Sequence, residues 1–256
     1  MDSKLDRLIN FLLDEMPEYK HDAANITDKR ILLRSLMNLR PPMKLDKNFL
    51  ELQDEFLSHE LELKGIIDSD SIPASCPGIS LWQGDITRLK AGAIVNAANN
   101  KLLGCFIPCH RCIDNAVHSA AGLQLRDECY KLMLAQGHDE LTGQAKITRA
   151  YNLPCDYVIH TVGPVVTGAL TPKHCGELES CYKSCLELAE KNNIESLAFC
   201  CISTGEFHFP NDTAAKIAVK TVKNFLEESH SRIKIIFNVF KDLDYEIYKK
   251  ELNIIS

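Results

Sequence analysis

The sequence predicts an α/β fold: a largely parallel sheet covered on both faces, preceded by a helical extension. Three observations carry this. Hydrophobic residues make up 45% of the 256 positions, enough to fill a sizeable core in one large domain with an appendage. From about residue 76 onward, short β-branched runs alternate with helical stretches, the pattern of strands joined by crossover helices. Before that point, apolar residues recur at three- and four-residue spacing, the pattern of amphipathic helices.

Taken in order, LDRLINFLLDEM (5–16), DKRILLRSLMNL (28–39) and FLELQDEFLSHELELKG (49–65) read as helices, the last ending on a glycine. Pro41-Pro42 separates two of them. The tract DSDSIPASCPG (68–78) has the serine, proline and glycine content of a linker or surface crossing, so the boundary is set near 75, with an N-terminal helical extension at 1–75 and the α/β domain at 76–256. Strands are expected in ISLWQGDIT (79–87), AIVNAAN (93–99), AKITRA (145–150), YVIHTV (157–162), SLAFCCIS (196–203) and IKIIFNVF (233–240). The helices between them are expected in DNAVHSAAGLQLRDECYKLM (114–133), HCGELESCYKSCLELAEKNN (174–193) and DTAAKIAVKTVKNFLEESH (212–230).

Composition narrows the function classes. Lysine and arginine number 29 against 35 aspartate and glutamate, a net charge of -6 that offers a phosphate backbone no attraction, so nucleic acid is not an expected partner. The start, MDSKLDRLIN, lacks the basic and apolar regions of a signal peptide, and no apolar run approaches the roughly 20 residues that cross a bilayer. Eleven cysteines, several inside apolar strings such as LAFCCIS, fit reduced thiols in the cytoplasm and no association with a membrane.

In open α/β sheets, ligands bind beyond the carboxyl ends of the strands. The loops that follow the expected strands carry QGDIT, NAANNKLLGC, STGEFHFP and FKDLD, whose glycines, short polar side chains and aromatic rings suit a nucleotide-like ligand. One stretch stands out: NNKLLGCFIPCHRCIDNAVH (99–118), with three cysteines and two histidines.

Six segments in order, GDIT (84–87), IVNAAN (94–99), HSAAG (118–122), LPCDYVIHTVGP (153–164), ISTGEFHFP (202–210) and FKDLDYEIY (240–248), resemble the macrodomains, which bind ADP-ribose and in several branches hydrolyse it from proteins. The resemblance implies a three-layer α/β/α domain with a mixed, largely parallel central sheet. GCFIPCHRCIDN resembles the zinc-containing branch, whose helical extension is similar to LLRSLMNLRPP and LELQDEFL here. In that branch the matching positions, Cys105, His110 and Cys112, hold one Zn²⁺. Thiolate and imidazole within eight residues suit that ion. Cys109 is a fourth candidate at a position the pattern leaves free. Four ligands would close the shell as a structural site, and three would leave a position for water or a substrate hydroxyl.

The same resemblance assigns the other roles. Asp85 would accept from the adenine amino group, with the Ile86 amide donating to a ring nitrogen; the alternative for Asp85 is a turn cap. Phe240 would stack on the adenine face; the alternative is a core phenylalanine. Ser203, Thr204, Gly205, Glu206 and Phe207 match the diphosphate loop, with Phe207 on the distal ribose and His208 where many relatives have glycine. Asn99 and Asp114 match the residues that orient the distal ribose and a water. The function implied is a zinc-dependent hydrolase that removes mono-ADP-ribose from protein side chains at the anomeric carbon of the distal ribose. Its partners would be ADP-ribose, the mono-ADP-ribosylated protein and a sirtuin-like ADP-ribosyltransferase, and it would work as a monomer. The competing readings are an ADP-ribose reader, a deacylase of O-acyl-ADP-ribose, and a zinc module for macromolecular contact.

Overall fold

The computed structural model describes residues 2–254. The N-terminal helices are α1 (Asp2–Glu15), the single turn α2 (Lys20–Ala23), α3 (Lys29–Leu39) and α4 (Lys47–Lys64). Each of the two longer later helices starts on an aspartate whose side chain accepts backbone amides: Asp28 takes those of Arg30 and Ile31, and Asp46 takes that of Phe49. Such caps satisfy donors that have no intrahelical partner, at about 1 kcal/mol each. Arg40, in extended conformation before Pro41, ends α3.

These helices bury a core of their own, in which Leu8, Leu12, Leu33 and Leu36 are nearly inaccessible. Leu123, from the α/β part of the chain, closes that core. Burying side chains of this kind stabilises by about 1.5–3 kcal/mol apiece, so docking of the extension is driven by the same effect that folds it.

The α/β part comprises β1 (Ile67–Asp68), β2 (Ala74–Cys76), β3 (Ile79–Gln83), β4 (Leu89–Lys90), β5 (Ala93–Ala98), α5 (Ile113–Ala121), α6 (Leu123–Gln136), β6 (Ala145–Arg149), β7 (Tyr157–Val162), α7 (Pro172–Lys191), β8 (Ser196–Phe199), α8 (Asn211–Ser229), β9 (Lys234–Val239) and α9 (Asp242–Glu251). The main sheet has the order β2-β3-β9-β8-β5-β7-β6. Its interior pairings are parallel and the two edge strands, β2 and β6, run antiparallel. This is the mixed, largely parallel sheet that the sequence predicts. The central strands read as unbroken apolar runs, such as AIV and IIF, because helices cover both faces.

Three local expectations change. The tract 68–78, read as a linker, contains β2 paired with β3, while Ile67 and Asp68 of β1 pair with β4. Sheet pairing therefore begins ahead of residue 75. The helix expected over 114–133 is two helices, broken at Gly122. Gly122 has φ +92, and a Cβ there would lie 2.6 Å from Gln53 Nε2, so α4 packs where a side chain would stand. The strand expected over 196–203 ends at Phe199, which releases Cys200 and Cys201 to begin the loop that follows.

Candidate active site

A cleft of about 580 Å³ opens at the carboxyl ends of β3, β5, β8 and β9, and its walls include the residues that the sequence singles out. Asp85, Ile86, Asn99, Cys105, His110, Cys112, Asp114, Ser203, Thr204, Gly205, Glu206, Phe207 and Phe240 all line it. Parallel strands explain the convergence, since their ends point the same way and their loops meet.

At one end, Asp85 Oδ1 accepts from the Thr87 amide at 3.0 Å and from the Thr87 hydroxyl at 2.7 Å. The turn cap weighed as an alternative is thus present, and it uses one carboxylate oxygen. Phe240 is 75% exposed, which sets aside a core role for its ring. Asn238, buried at the end of β9, donates to the Gly84 carbonyl at 2.9 Å and ties the Asp85 loop to the Phe240 strand.

Midway, the loop from Ser203 to Phe207 folds on itself. The Phe209 amide donates to the Ser203 carbonyl at 3.0 Å, and the His208 amide to the Gly205 carbonyl at 3.1 Å. Among the described residues, the amides of Gly205, Glu206 and Phe207 donate to no backbone carbonyl, which is the arrangement of an anion nest. Ser203 Oγ is buried without a partner. His208 adopts φ +54, the left-handed conformation that glycine reaches at no steric cost.

At the far end, Asp114 sits in the first turn of α5, buried, with an asparagine on each carboxylate oxygen. Asn96 Nδ2 donates to Oδ1 at 2.8 Å and Asn99 Nδ2 to Oδ2 at 3.2 Å. Asn99 also donates to the Gly104 carbonyl at 3.0 Å and accepts from the Lys101 amide at 2.9 Å. Its donors are thus committed within the protein, and one lone pair of Oδ1 is left for a sugar hydroxyl. Burial raises the Asp114 carboxyl to about 6, against the Asn96 hydrogen bond and the charge of Arg126.

Asn96 continues the network to His160 Nδ1 at 3.2 Å, and His160 Nε2 meets Thr148 Oγ1 at 2.9 Å. Burial holds His160 down to about 3 and His118 well below its ordinary range, so both rings are neutral near pH 7. Asn96, His118 and His160 carry no role among the expectations from sequence, although they lie within IVNAAN, HSAAG and YVIHTV. Their buried pairing depends on register: Asn96 and His160 are direct cross-strand partners between β5 and β7.

The ligand atoms of Cys105, His110 and Cys112 lie within 4.8 Å of one another. Cys105 Sγ and His110 Nδ1 are 3.5 Å apart, and His110 Nε2 faces Glu206 Oε1 at 3.7 Å. Cys112 caps α5, where its sulfur accepts the Asn115 amide at 3.4 Å. Burial first, then the neighbouring Cys105 and Asp114, push the Cys112 thiol up to about 12 against that amide. Two thiols and a carboxyl so placed repel one another as anions, and a divalent cation would reverse that balance. The donor set and spacing fit Zn²⁺. Cys109 is not in this group: its sulfur turns toward α3, 3.4 Å from Ser35 Oγ and 3.6 Å from the Ile31 carbonyl.

Known proteins are similar to this chain. The Macro domain profile matches residues 95–218. A protein-ADP-ribose hydrolase of Treponema medium is 50% identical over 251 residues, covering 95% of each chain. The chain belongs to the Macro domain family. A protein-ADP-ribose hydrolase of Staphylococcus aureus is 44% identical over 253 residues, covering 96% of this macrodomain and 95% of its own length. Among solved structures, a Trypanosoma brucei macrodomain in complex with ADP-ribose superposes with TM-score 0.66 at 30% identity, over 84% of this chain and 94% of that one. The Oceanobacillus iheyensis macrodomain with ADP gives TM-score 0.62 at 35% identity, over 68% and 90%. The similarity to the two hydrolases runs through the N-terminal helices as well as the sheet, since it covers nearly the whole chain.

Proposed function

We propose that this macrodomain is a zinc-dependent ADP-ribosylhydrolase that frees mono-ADP-ribose from modified protein side chains by hydrolysis at the anomeric carbon of the distal ribose. One observation carries the reading: a single cleft joins an aromatic face at Phe240, an amide nest at Ser203–Phe207, and Asp114 beside Cys105, His110 and Cys112. The relatives named protein-ADP-ribose hydrolase support it.

In this reading adenine lies on Phe240 with its amino group toward Asp85 and a ring nitrogen at the Ile86 amide. The diphosphate lies on the amides of residues 204–207, where oriented N–H groups offset its charge without a cation. Phe207 packs on the distal ribose, which Asn99 orients. Asp114, ionised above about pH 6, accepts a proton from the attacking water as its oxygen bonds to the anomeric carbon. The bond to the acceptor oxygen breaks, and Asp114 passes the proton it took from water to that departing oxygen, which regenerates the carboxylate. The same carboxylate stabilises the positive charge that develops on the ring. Zinc held by Cys105, His110 and Cys112 would supply Lewis-acid polarisation of a ribose hydroxyl or water.

The reading makes ADP-ribose and mono-ADP-ribosylated protein the ligands, a sirtuin-like ADP-ribosyltransferase the source of the modification, and a monomer the working state. The cytoplasm is the compartment, supported by eleven unpaired cysteines. Among the described residues, no helix is long and apolar enough to cross a membrane. Incubation with mono-ADP-ribosylated protein and, separately, O-acyl-ADP-ribose tests the reading: free ADP-ribose is expected from the protein conjugate. Binding without turnover would mark a reader, and turnover of the acyl ester alone a deacylase.

A further inference from the structure

The ligand loop from Cys105 to Cys112 contains neither helix nor strand, yet a metal site needs its donors held in place. What holds it comes from two sides. From α5, Asn115 is fully buried and its Nδ2 donates to the Ile107 carbonyl at 3.0 Å and the Cys105 carbonyl at 3.4 Å. From the N-terminal extension, one face of α3 supplies further contacts. Asn38 Oδ1 accepts the Cys109 amide at 2.9 Å, and Asn38 Nδ2 donates to Ser119 Oγ at 2.9 Å. Arg34 Nη2 donates to Asn115 Oδ1 at 2.7 Å and to the His110 carbonyl at 3.4 Å. Ser35 Oγ meets Cys109 Sγ, whose residue has φ +51. A cysteine in that conformation is strained and stays there only where its surroundings fix it.

Arg126, on α6, fastens the same helix end. Its Nη1 donates to the carbonyls of Met37, Asn38 and Arg40, and its Nε to that of Leu103 just before the ligand loop. Its guanidinium also lies 4.5 Å from the centre of the Phe106 ring. The C-terminal end of α3, the start of the ligand loop and α6 thus share one buried cation.

We propose that α3 of the N-terminal extension is a working part of the metal centre: Asn38 and Arg34 are positioning residues that clamp the Cys105–Cys112 loop and set how long it retains the ion. The inference rests on the reading that this loop binds Zn²⁺. It gives the extension a task within the site, in addition to packing. It also gives Cys109 one, as the residue that turns the loop toward α3 between the first and second ligands.

Loss of one hydrogen bond to the loop raises the chance of a donor swinging free, and loss of residues that orient metal ligands weakens metal binding by about 10–100-fold. The test is zinc transfer from the full-length protein to a chromogenic chelator, followed in time for the wild type, Asn38→Ala and Arg34→Gln. Thermal melts and ADP-ribose affinity are measured alongside. Transfer about tenfold faster from both variants, with ADP-ribose affinity within about twofold of wild type, is expected. Unchanged transfer from folded variants would overturn the proposal. Should Asn38→Ala fail to fold, Arg34→Gln decides, because its side chain is only partly buried. A wild type that purifies without stoichiometric zinc would instead sink the metal reading itself, and this inference with it.

Discussion

Asn99 Nδ2 and Asp114 Oδ2 lie 3.2 Å apart, although the two residues are separated by the whole ligand loop. Asn99 follows β5 and Asp114 begins α5, so the loop of Cys105, His110 and Cys112 is closed at its base by the pair expected to act on the ribose. With Asn96 on the other oxygen, the carboxylate has one orientation.

Asp114→Ala is therefore expected to lower kcat by about 10²–10⁴, the usual worth of a positioned acid or base, while ADP-ribose affinity changes by less than about tenfold. Steady-state hydrolysis and calorimetric binding measured together check this. A variant that keeps its kcat would remove Asp114 from the chemistry.

Phe240 is expected to contribute through its exposed face alone. Stacking of a base on an aromatic ring is worth about 1–3 kcal/mol, so Phe240→Ala should weaken ADP-ribose about 5- to 150-fold and leave the melting temperature nearly unchanged. Unchanged affinity would place the adenine elsewhere.

Much of this candidate site is legible because its motifs are short and local: GDIT and STGEF each follow a strand, NAAN ends one, and each contributes to the cleft wall. The largely parallel sheet is legible for the same reason, since alternation of apolar strands with helices is a local pattern; its mixed character follows only from the family resemblance. What was not legible depends on contacts between distant segments. The break at Gly122 follows from the approach of Gln53, 69 positions earlier in the chain. The pairing of Asn96 with His160 needs the register of β5 on β7. The strand at Ala74–Cys76 was hidden by turn-forming neighbours and forms because β3 folds back beside it.

Cys109 provides a sharper test of the ligand set. Its sulfur faces α3, so Cys109→Ser should bind as much zinc as the wild type, whereas Cys105→Ser and Cys112→Ser should each lose most of it. Metal analysis of the purified variants decides. Zinc lost from Cys109→Ser to the same extent would mean a closed, four-ligand shell.

The buried histidines predict how stability responds to acid. His160 is held down to about 3 and His118 also lies well below its ordinary value, while an unfolded imidazole titrates near 6.5. Below that pH the unfolded chain binds more protons, so stability is full above about pH 6.5 and falls as pH drops, by up to about 1.4 kcal/mol per pH unit for each ring. Asp114, raised to about 6, works in the opposite direction between pH 6 and 4, one carboxyl against two imidazoles. The stability advantage of wild type over His160→Gln should shrink as pH falls from 7 to 5 in denaturant titrations. An advantage that grows would show His160 to be charged in the folded state.

The central claim is the proposal that a zinc ion at Cys105, His110 and Cys112 would take part in the chemistry rather than in folding alone. Release of ADP-ribose from a mono-ADP-ribosylated protein, measured before and after chelation with circular dichroism and thermal melting on the same samples, tests it most directly. Activity lost on chelation, restored by Zn²⁺, with fold and ADP-ribose binding retained, is the predicted result. Full activity in protein shown by metal analysis to be zinc-free, or loss of fold together with activity, would contradict it.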